Sequence, residues 1–319
     1  MRLLIINIFL LWLQLFWVLV PTWRNGEYYS YGWFVPVLAV GLAWRRWQLL
    51  VPSASQGAAL EQQDLAVVGM PGNETRLAGW VAAFGVIAVV CMIPLQLIAV
   101  GDPGWRPPIL LQAFLTVVLT HLLIWQGVSG RVSLGLLPVT IFALSAVPYP
   151  WQIEQQIIRS LTGAVVHLSR EVFLLTGQPV ELLGERLSIG SDAVDVTDGC
   201  SGIRSFQSLV MGALFFGELL LLSLPKRLAL LAVAGVCALC VNSARAYTLA
   251  VIHFDHGKEA AAAAHDLVGH VAYWLSIAIV FLAARWLVQG AASDRRVVRR
   301  SKVTSNQQAT TGNLKNVKP

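Results

Sequence analysis

The sequence predicts an all-α polytopic membrane protein of about eight transmembrane helices, with an extracytoplasmic amphipathic helix and a small β-hairpin set between the fifth and sixth. Three observations carry that reading. Of the 319 residues, 56% are hydrophobic and only 13% charged, a balance outside the range of soluble domains. Apolar stretches long enough to cross a hydrocarbon core of about 30 Å recur along the chain. Lys and Arg gather in alternate loops, the bias that orients membrane proteins.

The apolar stretches run over about 3–20, 28–44, 77–100, 108–128, 132–148, 206–223, 228–252 and 271–289. The first opens on Met1-Arg2 but lacks a small-x-small cleavage site and ends in Val20-Pro21-Thr22-Trp23, so it reads as a retained helix rather than a signal peptide. Threaded in order, the spans put Arg45, Arg46, Arg76, Arg131, Lys226 and Arg227 on one side, together with Arg295, Arg296, Arg299, Arg300 and Lys302. The positive-inside rule makes that side the cytoplasm and places both termini there. The net charge of +6 is then a membrane signature, with lipid headgroups rather than nucleic acid as the partner of the basic tail 293–319, which is expected to be disordered. Asn73-Glu74-Thr75 falls on the same side and is discounted as a glycosylation site. His121, alone among apolar neighbours in the fourth span, reads as a helix-packing group.

Four regions follow: a five-helix membrane region over 1–148, an extracytoplasmic segment over 149–205, a three-helix membrane region over 206–292 and the tail. After Pro148-Tyr149-Pro150-Trp151, apolar residues recur at Ile153, Ile157, Leu161, Val165, Leu168, Val172 and Leu175, the three-and-four spacing of an amphipathic helix lying in the outer interface. Gly177-Gln178-Pro179 ends it, and 180–183, 187–189 and 193–196 read as short strands separated by glycine turns.

Candidate chemistry begins at "DVTDGCSGIRSF", Asp195 to Phe206, where a cysteine stands between two glycines in a polar stretch. Cys91, Cys237 and Cys240 lie inside spans and act as small hydrophobes, whereas Cys200, with Ser201, Gly202 and Arg204 beside it, is open to backbone and water. The seventh span carries Asn242 and Arg245 three residues apart, on one helix face. Counting 17 residues from Leu228 at about 1.5 Å each puts Arg245 roughly 26 Å up, near the outer surface. An alanine-rich helical start then brings His265 and His270 to the mouth of the eighth span, with Gly269 four residues beyond His265. Cys200, Arg245 and His265 thus approach one interface from three segments. A neighbouring His or Arg raises the thiolate fraction of a cysteine, so the set points to nucleophilic catalysis. No cofactor is expected, and no metal: His253, His256, His265 and His270 lack carboxylates at ligand spacing.

Cys200-Ser201-Gly202, Asn242-Ser243-Ala244-Arg245 and His265 through Gly269, in that order, resemble the C-S-G, N-x-x-R and H-x-x-x-G signatures of the exosortase/archaeosortase family over about 148–289. The resemblance implies a membrane cysteine protease or transpeptidase of the bacterial inner membrane with Cys200, Arg245 and His265 catalytic. Its implied substrates are exported proteins that end in a PEP-CTERM-like motif, a transmembrane helix and a basic tail. Gly199 stands where many members carry alanine, which bears on subclass and signal preference. The competing class is a transporter or a structural subunit of an envelope polysaccharide export system, but the internal repeat and broken helices of a transporter are not seen.

Overall fold

Glycine, proline and serine mark the helix boundaries. A computed structural model of the chain describes residues 2–26, 28–51, 90–102, 104–184, 186–189, 192–195 and 202–314. Among them the order is α1 (Arg2–Asn25), a short 3-10 turn (Ser30–Trp33), α2 (Val35–Leu50) and α3 (Val90–Gly101). There follow α4 (Arg106–Gly127), α5 (Gly130–Leu144), α6 (Trp151–Leu175), β1 (Glu181–Leu183), β2 (Arg186–Ile189) and β3 (Asp192–Asp195). The chain ends in α7 (Ile203–Leu219), α8 (Leu224–His256) and α9 (Lys258–Leu314). Proline sits in the first turn of α2, α4 and α8, where its missing N–H has no intrahelical role. Ser129 caps α5 by accepting the Val132 N–H at 3.3 Å. Gly177, at φ +81°, closes α6 with a paired cap in which Gln178 N–H reaches Phe173 O and Gly177 N–H reaches Leu174 O.

The all-α membrane architecture is as the sequence predicts. By length and composition, four helices can cross a membrane: 4–25, 106–127, 224–256 and 258–289. Val90–Gly101 and Gly130–Leu144 are shorter apolar helices, α2 has 16 residues and α7 has 17. The first part of the expected third span lies outside the described residues. At the two ends of the last helix pair, the structure departs from the expected limits. α8 and α9 run unbroken on either side of Gly257, whose φ of +88° turns the chain between them, so the expected alanine-rich helical start is continuous with the last span and the connection shrinks to one residue. α9 also continues as helix through the tail expected to be disordered, because no glycine or proline interrupts 291–311.

Two helical groups pack side by side. α1, α2, α4 and α5 share a core built on Leu15, Leu19, Trp23, Val35 and Phe142, and α7 joins it through Met211, Leu214 and Phe215. The opposite face of α7 packs with α8 and α9 around Leu209, Leu230, Ala234 and Val280. His121 ties α4 to α5, its ring nitrogens 3.0 Å from Ser133 Oγ and 2.9 Å from Thr140 Oγ1, the packing role read from the sequence.

α6 forms where expected and also packs on protein through a second face. Glu154, Ile158, Thr162, Val165, Val166, Ser169 and Phe173 are buried, whereas Ile153, Leu168, Val172 and Leu175 of the predicted stripe are exposed. One residue of offset is about 100° on a helix, so α6 has two apolar sectors: one packs on protein and the other is left outward. The expected small hairpin is a three-stranded antiparallel meander in the order β1-β2-β3. Leu187 of β2 is buried with Val165, Val166 and Phe173 of α6 and Ala246 and Ala250 of α8, which fixes the sheet on those two helices.

The two ends of the bundle differ in chemistry. At one, Glu218 of α7 is buried between Arg46 Nη1 of α2, at 3.4 Å, and Arg227 Nη2 of α8, at 2.6 Å. Arg45 donates to the Leu219 carbonyl beside them. At the other end, Arg106 grips the buried Glu154 through both nitrogens, at 2.8 and 2.9 Å, and donates to the Tyr149 carbonyl at 2.6 Å. Tyr29 donates its hydroxyl to the same carboxylate.

Candidate active site

Gly202 occupies the left-handed region at φ +76° as α7 begins. A Cβ built there would stand 2.6 Å from Asn242 Cγ and 2.7 Å from Asn242 Nδ2. Backbone angle and space therefore both demand glycine, and the start of α7 is seated directly on α8. Asn242 is buried, one helical turn from Arg245 on the same face.

Arg245 reaches across to α9. Its Nη2 lies 2.8 Å from His265 Nε2. Guanidinium only donates, so the imidazole accepts at Nε2 and carries its proton on Nδ1, which points to Asp266 Oδ1 at 3.3 Å. Gly269, one turn beyond His265, faces the guanidinium: a Cβ there would be 3.8 Å from Arg245 Cζ, Nε and Nη2, ordinary contact rather than a clash. Arg245 Nε is buried and has no hydrogen-bond partner among the described residues. Among the described residues no carboxylate is paired with Arg245.

His270 serves a different purpose. Its Nδ1 donates to the Asp266 carbonyl at 2.6 Å, a bond within α9 itself rather than across to another helix. Arg204 is exposed on the first turn of α7. Cys200 and Ser201 lie outside the described residues. The structure thus brings Arg245, His265 and Gly269 together and seats Gly202 on Asn242 one turn away. Among the described residues it assembles a cation with an unpartnered buried Nε beside an imidazole that accepts from it, and Gly202, two residues after Cys200, sits close by.

The family model for the transmembrane exosortase (Exosortase_EpsH) matches residues 23–282. The chain belongs to the transmembrane exosortase family. Among curated proteins and among solved structures none matches it. The exosortase match spans both buried carboxylate clusters as well as Asn242, Arg245, His265 and Gly269, and leaves out all but the last residues of α1 and the part of α9 beyond 282.

The Arg106–Glu154–Tyr29 cluster went unread in the sequence. Its signal was present: Arg106 and Glu154 are isolated opposite charges that the threading places on the same side of the membrane, at the starts of two helices. Periodicity could not pair them, because they are far apart in the chain.

Proposed function

We propose that this exosortase-family chain is a membrane-embedded cysteine peptidase or transpeptidase, with Cys200 as nucleophile and Arg245 and His265 completing the catalytic set. It acts on exported proteins that end in a sorting motif, an apolar helix and a basic tail, at the outer face of the cytoplasmic membrane. The observation that carries this reading is the 2.8 Å contact between Arg245 and His265. Cys200 precedes Gly202 by two residues, so the chain can carry it no more than about 7 Å from the glycine seated on Asn242.

The chemistry follows from the donors. At rest Arg245 donates into His265 Nε2. As the Cys200 thiol gives up its proton, the sulfur becomes a stronger acceptor for the guanidinium, and the freed Nε2 takes that proton. The thiolate attacks the scissile carbonyl, and the oxyanion that forms is held by guanidinium N–H groups, Nε among them. His265 returns the proton to the leaving amine, the C–N bond breaks and a thioester remains. Water, or an amine or hydroxyl of an acceptor, then attacks the thioester, releasing the product and the Cys200 thiol.

The test is processing of a co-produced exported protein by Cys200→Ala and Cys200→Ser variants, together with a search for a hydroxylamine-sensitive adduct in the parent. Both variants are expected to accumulate in the membrane and to leave the substrate uncut, while single Ala replacements of Cys91, Cys237 and Cys240 still cut it. Processing by Cys200→Ala would end this reading.

A further inference from the structure

The outer edge of the small sheet has no part in the chemistry above. Among the described residues β1 pairs only with β2. Its other side faces a groove of about 450 Å³ between the strand and α6, lined by His167, Arg170, Val180, Glu181, Leu182 and Leu183. Leu183 pairs with Arg186 across the two-residue turn at 184–185, which makes that closing pair the hydrogen-bonded one, and Leu182↔Leu187 the non-bonded one. The N–H and C=O of Leu182 therefore point away from β2, on the open edge of the sheet. The other edge strand, β3, packs against α8. Burial of Leu187 pins the sheet to α6 and α8, so the β1 edge is presented on a fixed support.

An open strand edge is a template for another strand, and main-chain bonds to such an edge are a recurring way of holding extended peptides. The groove has the volume of a ligand site. His167 and Arg170 stand on its far wall, with Arg170 held at 2.7 Å by Glu171. A second copy of the chain would have to bring its own α6 into the same space, whereas a bare extended segment would not.

We propose that an extended segment of the exported substrate docks here by adding a strand to β1, so that the sheet becomes peptide-β1-β2-β3. This rests on the substrate class proposed above. β1 and β3 are two strand spacings apart, roughly 10 Å, and β3 is the strand that leads on to Cys200. The docked strand is thus a recognition element separate from the scissile bond.

The experiment uses the full-length Cys200→Ala chain in membranes, with a photoreactive amino acid at Leu183, Arg170 or, as control, the exposed Gln156 on the first turns of α6. It is co-produced with an exported protein whose maturation is lost when this chain is deleted. Crosslinks are expected from Leu183 and Arg170 to the stretch preceding that protein's apolar helix, and not from Gln156. Leu182→Pro removes only the outward donor and keeps the bonds to β2. It should lower the crosslink yield at least about tenfold, whereas Leu182→Ala should not. Equal yields with Leu182→Pro, crosslinks between two copies of the chain, or no crosslink to a protein that the parent still cuts would overturn the proposal. Should Leu182→Pro fail to accumulate, the contrast between Leu183 and Gln156 decides. A protein captured at Leu183 yet cut by Cys200→Ala would instead overturn the catalytic reading and leave the docking site standing.

Discussion

Arg106 and Arg245 are two arginines at the same end of the bundle with opposite surroundings. Arg106 closes a bidentate pair with Glu154, takes the Tyr149 carbonyl as a further acceptor and lies 5.4 Å from the Trp151 ring. Its charge is answered within the fold. Among the described residues Arg245 has the His265 imidazole as its partner and a buried Nε with none. Among the described residues no carboxylate answers the partly buried Arg245, and an anion such as a thiolate, an oxyanion or a carboxylate is what its remaining donors suit. The contrast separates an arginine paired with a carboxylate from one that, among the described residues, is paired with an imidazole.

Removing one partner from each pair breaks the comparison most sharply. Glu154→Ala leaves the partly buried Arg106 without its carboxylate and is expected to destabilise the protein by about 3 kcal/mol, seen as a lower Tm in detergent and loss of accumulation. Arg245→Ala should accumulate normally with its Tm little changed, and abolish substrate processing. If the two variants lose stability equally, the arginines do not differ in kind.

Charge alone is tested by lysine. An ammonium at 245 keeps the cation but cannot offer two donors in a fixed fork, so Arg245→Lys should slow processing at least about tenfold. Near-normal turnover would mean that the side chain only reaches for headgroups.

The two glycines sharpen the local picture. Gly202→Ala sets a Cβ against Asn242 in an unfavourable backbone region and should depress processing strongly, with partial recovery in the Gly202→Ala, Asn242→Ala double variant. Gly269→Ala makes only ordinary contact with the guanidinium and should keep most activity. The smallest effect belongs to His270: a bond to its own helix contributes about 1 kcal/mol at most, so His270→Ala should process substrate at close to the parent rate while His265→Ala does not.

Much of this was legible in the sequence, for physical reasons. Hydropathy gave the helices and glycine their ends. The pairing of Arg245 with His265 followed from depth, since both were placed near the outer surface. Depth could not give the hydrogen bond itself, nor show that Gly269 faces the guanidinium. The face of α6 that packs on protein was not legible, because apolar residues occupy two of its sectors and periodicity cannot say which of them meets protein. The Arg106–Glu154 pair and the Glu218 cluster escaped because distant charges pair through the fold, which no window along the chain contains.

The central claim is that Arg245 and His265 act on Cys200, and the thiol itself can report it. In a chain lacking Cys91, Cys237 and Cys240, the rate at which a membrane-impermeant thiol reagent alkylates Cys200 in intact cells is measured from pH 6 to 9 in the parent and in the Arg245→Ala, His265→Ala and His270→Ala variants. The account predicts rapid labelling of the parent at neutral pH, a fall of at least about tenfold in Arg245→Ala and His265→Ala with the pH profile moved upward, and no change in His270→Ala. Identical profiles in all four chains, or protection of Cys200 from the reagent, would contradict it.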